Sequence, residues 1–206
     1  MNGIPAVHDA ALPGHPGAVD WERVRADFPL LMREVHGHPL VYLDNANTSQ
    51  KPLPVVASQD EFYRRHNANV SRAVHALGTE ATEAYEASRA RLARFLNVRA
   101  DEVVLCSGTT FAINLVAYSW ALPRLKQGDT ILVSRMEHHA NIVPWQLVAQ
   151  RTGAKIKVAE ILPDGSLDLD GLHRAMTPDV KLLAVAHVSN VLGTVNPVRE
   201  ICREAR

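Results

Sequence analysis

The sequence predicts an α/β protein whose mostly parallel sheet is covered by helices. Short, continuously apolar runs alternate with stretches of helical periodicity through the second half of the chain. Such runs are typical of parallel strands that are buried on both faces, and helices provide the crossovers that parallel strands need. A third observation agrees, because Asn196 and Pro197 match the N-cap and the first position of a helix that follows the last predicted strand.

The first half of the chain predicts a leader followed by a largely helical segment. Residues 1–19 are rich in Pro, Gly, Ala and His without periodicity, which is typical of a flexible leader. We assign residues 20–100 to a helical segment that contains one short strand at 40–43. Its longest helix is expected at 79–96, where early acidic residues and late arginines match the helix dipole.

The second half, residues 101–206, predicts one α/β domain. A strand at 103–106 precedes a helix whose apolar residues recur at helical spacing from Ile113 to Ala121, and Pro123 helps to end it. The later predicted elements are strands at 130–134, 155–161 and 181–187 and helices at 142–151, 169–176 and from 197 onward. A crossover helix should lead to a further strand, so we expect this domain to be incomplete.

Composition argues against several classes of partner. Lys and Arg total 22 and Asp and Glu total 22, which argues against nucleic acid or an anionic membrane as the main partner. No apolar stretch approaches the roughly 18–20 residues of a membrane span, and the start of the chain lacks the features of a signal peptide. Two cysteines are too few for a disulfide scaffold, so a cytoplasmic location is expected.

A turn made of Ser107, Gly108, Thr109 and Thr110 joins the first strand of this half to its helix. Backbone N–H groups and the positive end of a helix dipole meet at such a turn, and glycine allows a ligand to approach closely. The threonine hydroxyls add donors, so the turn suits a phosphate group. Taken alone, it is also typical of an ordinary helix cap.

Polar residues follow two of the predicted strands. His138 and His139 follow the strand at 130–134, at the edge where open α/β sheets bind ligands. Adjacent side chains point in different directions and no nearby cysteine or carboxylate set completes a metal site, so we predict no metal. Asn190 follows the strand at 181–187, either as a ligand-binding residue or as a turn asparagine that bonds its own backbone.

These motifs occur in an order that resembles the cysteine desulfurases that use pyridoxal phosphate. The matching segments are YLDNANT at 42–48, SGTT at 107–110, EHHAN at 137–141 and HVSNVLGT at 187–194. The resemblance is strongest to the SUF-type branch of the class V aminotransferase family, which also contains selenocysteine lyases. It implies a fold-type I transferase in which residues 101–206 form a partial large domain that binds pyridoxal phosphate.

The resemblance also implies roles for individual residues. The turn that contains Thr109 and Thr110 binds the phosphate of the cofactor in this family. His138 matches the histidine that stacks on the pyridine ring and exchanges protons, so it is the expected catalytic residue, whereas His139 is expected to be structural. Asn190 matches the asparagine that donates a hydrogen bond to the phenolic oxygen of the cofactor.

Two segments of the first half depart from the family pattern. Asn47 follows Ala46 where the family usually has a second alanine, and Ser71 stands where a histidine is common. Arg72 and His75 still fit the pattern. The resemblance therefore makes Ala46, Asn47 and Arg72 the expected substrate-binding residues.

The implied reaction removes sulfur from L-cysteine, giving L-alanine and an enzyme persulfide for iron–sulfur cluster assembly. L-Selenocysteine is the alternative substrate. The expected partners are a second copy of the full-length chain, in a homodimer, and a sulfur-acceptor protein of the SUF system.

The remaining catalytic groups of the family are expected after Arg206. No lysine of this chain lies in the Ser-x-His-Lys context of the Schiff-base lysine. Cys106, in an apolar predicted strand, and Cys202, on the apolar stripe of the last helix, are expected to pack rather than to act as the nucleophile. We therefore expect the N-terminal half of an enzyme, inactive alone. Two alternatives stay open: a non-catalytic truncated remnant, and another class V aminotransferase-type enzyme.

Overall fold

The computed structural model describes residues 19–72 and 74–206. The predicted leader at 1–19 therefore lies outside the described residues, apart from Val19. The chain divides into two compact units, with the boundary between Glu102 and Val103.

The first unit consists of helices and one short hairpin. Asp20 begins the first helix, because its carboxylate accepts a hydrogen bond from the backbone N–H of Arg23 at 3.0 Å. The elements are helix α1 (Trp21–Ala26), strands β1 (Glu34–Val35) and β2 (His38–Pro39), and helices α2 (Leu53–Glu61) and α3 (Ala76–Leu96). Strands β1 and β2 pair antiparallel around a turn at His36 and Gly37, which both have positive φ.

The strand predicted at 40–43 is not formed. The N–H of Leu40 still donates to the carbonyl of Arg33 at 2.9 Å, but residues 41–43 pair with no strand among the described residues. The hydroxyl of Tyr42 instead donates to the carbonyl of Thr48 at 3.0 Å and helps to close a turn. The prediction is wrong, and the short strands of this unit lie earlier, in the hairpin.

Helix α3 begins at Ala76 rather than at the predicted Thr79 because His75 caps it. The Nδ1 atom of His75 accepts a hydrogen bond from the N–H of Gly78 at 3.2 Å. Asn97 ends the helix in the left-handed conformation, with φ 55°. Although α3 has 21 residues, no helix in the described part of the chain is both long and apolar enough to cross a membrane.

The second unit is built on a parallel sheet. Its strands are β3 (Thr130–Ser134), β4 (Lys155–Ala159) and β5 (Val180–Ala184), in the order β4-β3-β5. Its helices are α4 (Thr109–Val116), α5 (Val143–Thr152), α6 (Leu169–Ala175) and α7 (Val198–Glu204). The predicted α/β class with a parallel sheet is confirmed.

Strand β3 is the centre of the sheet, and all five of its residues are buried. Ile131 packs in a cluster that includes Trp145 of α5, whereas Leu132 packs in a second cluster with Leu172 of α6 and Ile201 of α7. Successive residues of a strand point to opposite faces. Helices therefore cover both faces of this sheet.

The apolar run at 103–106 does not form the predicted strand. It pairs with no other strand among the described residues, and Cys106 is exposed rather than packed in the core. A segment becomes a strand only where a neighbouring strand pairs with its backbone groups. The packing predicted for Cys106 is therefore wrong.

The start of α7 also differs from the prediction. Pro197 rather than Asn196 is the N-cap: the side-chain oxygen of Asn196 accepts no hydrogen bond from the described residues, and its amide nitrogen donates to the carbonyl of Ala186 at 2.8 Å. Cys202 is exposed, whereas Ile201 beside it is fully buried. The apolar stripe predicted for this helix is therefore narrower than expected.

Asp179 joins the starts of β3 and β5. Its carboxylate accepts hydrogen bonds of 2.6 Å from the hydroxyls of Thr130, which is fully buried, and Thr177. These hydrogen bonds lower the pKa of Asp179 from 3.8 to about 2. The ionised carboxylate therefore stabilises the folded chain above the unfolded pKa, and this contribution is lost as the pH falls from 3.8 towards 2.

We expect Asp179→Asn to lower the melting temperature at neutral pH, because the amide lacks the charge that strengthens both hydrogen bonds. The difference from the unchanged chain should shrink as the pH falls below 3.8. Thermal melting followed by circular dichroism measures it. The matched control is Asp60→Asn, which removes an exposed carboxylate that pairs with Arg64. A difference that is the same at every pH would contradict a role for ionised Asp179.

Candidate active site

The candidate site lies in the second unit, beyond the carboxyl ends of its parallel strands. The turn that contains His138 follows β3, and the hairpin that contains Asn190 follows β5, the neighbour of β3 in the sheet. The carboxyl ends of parallel strands meet at one edge, where open sheets bind ligands. Helix α4 contacts the 3-10 helix His139–Asn141, so α4 lies beside the turn of His138.

The turn before α4 leaves backbone N–H groups available to an anion. Gly108 is the N-cap, with φ 153° and ψ 177°, in a region that glycine alone adopts readily. Its carbonyl accepts the first hydrogen bond of the helix, from Ala112 at 3.0 Å, so the N–H groups of residues 109–111 have no helical acceptor. No side chain of the described residues caps α4, and Thr109 and Thr110 are exposed. The start of α4 therefore has no side-chain cap among the described residues, which excludes the ordinary capping interpretation of this turn.

We expect Gly108→Ala to lower the free energy of unfolding by roughly 1–3 kcal/mol, the typical cost of such a backbone conformation. Crowding does not contribute, because a Cβ atom at Gly108 would meet no heavy atom of the described residues within 4 Å. Urea unfolding measures the loss. The control Ser107→Ala changes an exposed neighbour and should cost less. Equal losses in the two variants would contradict the assignment of strain to Gly108.

His138 is held by a hydrogen bond to its own turn. Its Nδ1 atom accepts from the backbone N–H of Ala140 at 3.1 Å, so Nε2 carries the proton of the neutral ring. The ring of His139 lies beside it, with centroids 5.8 Å apart and planes at 72°. Both histidines are exposed, and the described residues gather no group of three or more potential metal ligands. The contact to Ala140 fixes the ring of His138 and leaves its Nε2 available.

Asn190 lies at the tip of a hairpin closed by a bridge between Val188 and Val195. The hydroxyl of Ser189 accepts hydrogen bonds from the N–H groups of Val191, at 3.4 Å, and Leu192, at 3.1 Å. The amide of Asn190 is exposed and forms no hydrogen bond within the described part of the chain. Ser189 therefore satisfies the turn, and the side-chain amide of Asn190 has no partner among the described residues.

Sequence reasoning missed two buried polar residues of this region, Glu137 and Asn196. Glu137 is 9 % exposed, and its carboxylate accepts hydrogen bonds from the side chains of Ser134 and Asn141 and from the N–H of Ala186. Asn196 is 2 % exposed and donates to the carbonyl of Ala186. Glu137 belongs to the matching segment EHHAN, but nothing in that segment indicated that its carboxylate is buried, and Asn196 resembled a helix cap.

The predicted substrate residues lie in the first unit. Ala46 and Asn47 are exposed in a turn, where the N–H of Asn47 donates to the carbonyl of Asp44 at 3.2 Å. Arg72 is exposed and left-handed, with φ 54°, and follows Ser71 with φ 62°. Consecutive non-glycine residues in this conformation are strained, and such strain is concentrated at functional sites.

The chain is similar to cysteine desulfurases over most of its length. A probable cysteine desulfurase of Xylella fastidiosa strain Temecula1 is 72 % identical over 200 residues, which cover 97 % of this chain and 48 % of the relative. A cysteine desulfurase of Cronobacter sakazakii is 51 % identical over 185 residues, which cover 89 % of this chain and 46 % of the relative. The chain thus spans about half the length of the curated relatives it matches.

A solved structure and a family model agree with these relatives. The apo structure of a cysteine desulfurase from Thermococcus onnurineus superposes with a TM-score of 0.81 at 38 % identity, covering 89 % of this chain and 44 % of that one. The family model described as aminotransferase class-V matches residues 41–206. The chain therefore belongs to the class-V aminotransferase family, as its motifs predicted.

Proposed function

We propose that the chain forms the N-terminal half of a pyridoxal-phosphate-dependent cysteine desulfurase of the SUF-type branch. The enzyme converts L-cysteine to L-alanine and passes the sulfur on as an enzyme persulfide, with L-selenocysteine as the alternative substrate. One observation carries the proposal: the second unit brings together three groups that suit this cofactor. They are the Gly108 turn with its available N–H groups, the ring of His138 hydrogen-bonded to the backbone of Ala140, and the unpaired side-chain amide of Asn190.

These residues fit pyridoxal phosphate. The N–H groups of residues 109–111 and the hydroxyls of Thr109 and Thr110 would hold its phosphate at the positive end of α4. The ring of His138 offers a flat face to the pyridine ring, and the amide of Asn190 can donate to its phenolic oxygen. Bound there, the cofactor supplies an electron sink for bonds at the α-carbon of an amino acid.

His138 is the residue that we assign to proton transfer. An imidazole can give and take a proton at physiological pH, and the hydrogen bond from Ala140 to Nδ1 makes Nε2 the atom that does so. The same hydrogen bond keeps the ring from turning over. A fixed orientation holds the proton at one position, which a mobile exposed histidine would not achieve.

Arg72, with Ala46 and Asn47, is our proposal for the substrate-binding residues. A guanidinium binds a carboxylate through two parallel hydrogen bonds, and every amino-acid substrate carries an α-carboxylate. The strained, left-handed backbone at Ser71 and Arg72 supports a functional role for this segment. Asn47 adds an amide where the family pattern has alanine.

We also propose a homodimer in the full-length form, a SUF-type sulfur-acceptor partner for iron–sulfur cluster assembly, and a cytoplasmic location. The acceptor and the dimer rest on the family resemblance. A reducing compartment agrees with two cysteines that are both free thiols.

A chimeric enzyme tests the function. In the chimera, this chain replaces the matching 200 residues of the Xylella fastidiosa relative, to which it is 72 % identical. We expect the purified chimera to bind pyridoxal phosphate and to release L-alanine from L-cysteine. The unaltered relative is the control.

The outcomes separate the alternatives. A folded chimera that binds pyridoxal phosphate without releasing alanine would favour another class V reaction. A folded chimera that binds none would favour a non-catalytic remnant. Either result would overturn the proposed activity.

A further inference from the structure

We propose that Glu137 is a positioning residue that sets the His138 turn and the Asn190 hairpin in one arrangement. The inference rests on the proposed function, since it concerns how this unit receives pyridoxal phosphate. Neither family motifs nor sequence spacing assigned a role to Glu137.

The carboxylate of Glu137 closes the His138 turn from inside. Oε1 accepts a hydrogen bond from the hydroxyl of Ser134, the last residue of β3, and Oε2 accepts one from the amide of Asn141 at 2.7 Å. Ser134 and Asn141 lie on either side of His138 along the chain. Asn141 also accepts from the indole N–H of Trp145 at 2.9 Å.

The two residues that hold the ends of this turn, Ser134 and Trp145, are themselves buried. Trp145 is 4 % exposed and packs in the core beside the sheet, and Ser134 is 1 % exposed at the end of the central strand. Because both ends of the turn are held by buried side chains, the turn has little freedom to shift. The backbone contact between Ala140 and Nδ1 of His138 then fixes the ring relative to this frame.

The same carboxylate also binds the chain just after β5, the strand that neighbours β3. Oε1 of Glu137 also accepts from the N–H of Ala186 at 2.7 Å, and the carbonyl of Ala186 accepts from Asn196 at 2.8 Å. Ala186 lies just beyond β5, and side chains thus bind both its N–H and its carbonyl group. The N–H of Asn196 donates to the carbonyl of His187 at 2.8 Å and closes the base of the hairpin that carries Asn190.

Only a carboxylate of this length satisfies the three donors. In Glu137→Gln one oxygen becomes an NH₂ group, so whichever oxygen is replaced, a donor faces a donor. Oε1 serves Ser134 and Ala186, and Oε2 serves Asn141. In a buried site an unpaired donor is costly, and the turn is expected to move to relieve it.

The test measures Glu137→Gln in the chimera, with pyridoxal phosphate as the probe. We expect a weaker visible circular dichroism band of the bound cofactor, because this band depends on how the ring is placed among the side chains. We also expect kcat to fall by roughly 10²-fold, the typical cost of a small misplacement. Hydrogen exchange at the amide of Ala186, measured in the 206-residue chain itself, should become faster.

Glu160→Gln is the matched control. Its carboxylate belongs to the same unit, but it is exposed and pairs with Arg135 on the surface. We expect an unchanged dichroism band, kcat and exchange rate at Ala186. If Glu137→Gln does not fold, Ser134→Ala removes one of the three donors while keeping the carboxylate, and the same changes should follow at smaller size.

The outcomes are distinct. A folded Glu137→Gln chimera with an unchanged dichroism band and kcat would overturn the inference, even if its melting temperature fell. That result would leave the proposed function intact, because the chimera that keeps Glu137 would still release alanine. If the chimera that keeps Glu137 binds no pyridoxal phosphate, both the proposed function and this inference are overturned.

Discussion

Replacing His138 with alanine is expected to slow alanine release by the chimeric enzyme roughly 10²–10⁴-fold, the typical contribution of a positioned proton-transfer group. Pyridoxal phosphate should still bind, because the N–H groups and hydroxyls at the start of α4 are unchanged. The measurement is kcat for alanine release beside the amount of cofactor retained after gel filtration.

His139→Ala is the matched control, since it removes the neighbouring exposed ring. Its loss of kcat should be much smaller, because no hydrogen bond of the described residues fixes that ring. If kcat falls strongly in His139→Ala and stays nearly unchanged in His138→Ala, the assignment of the two histidines is reversed.

Leu132→Ala is expected to cause the largest loss of stability, roughly 2–5 kcal/mol in the free energy of unfolding. Leu132 is fully buried on the central strand and packs with Leu172 and Ile201. Truncation removes apolar contacts and leaves a cavity between the sheet and its helices, which the rigid strand cannot close. Urea unfolding of the chain measures the effect.

Leu162→Ala makes the same chemical change in the same unit at a residue that is 45 % exposed. We expect it to cost well under half as much, because nearly half of the surface of Leu162 already contacts water and its removal leaves no enclosed cavity. Similar losses in the two variants would contradict the view that the second unit depends on the core beneath β3.

The strands of the second unit could be predicted where burial decides the structure. Both ends of β3 were predicted correctly, because every residue from Thr130 to Ser134 is buried and the boundaries coincide with polar neighbours. Strand β4 was extended too far, to Ile161. The structure ends it at Ala159, and Ile161 instead forms an antiparallel bridge with Leu167.

The site was predictable only in part. Position after a strand drew attention to the pair His138 and His139 and to Asn190, the family resemblance chose His138 from the pair, and the roles of these residues toward a cofactor stay predictions. The contact between Glu137 and Ala186 joins residues 49 positions apart, and no periodicity of the sequence records such a hydrogen bond. The apolar run at 103–106 predicted a strand that is not formed. Composition alone does not reveal whether a neighbouring strand is present to pair with such a run.

The hydrogen bonds around Glu137 have a consequence for the order of events during biosynthesis. Every partner in that network lies between Ser134 and Asn196, a continuous stretch of chain. At a synthesis rate of about 5–20 residues per second, this stretch is made within seconds, and its hydrogen bonds need no residue that is made later. Cofactor capture would then be docking onto a finished surface, with little ordering entropy left to oppose it.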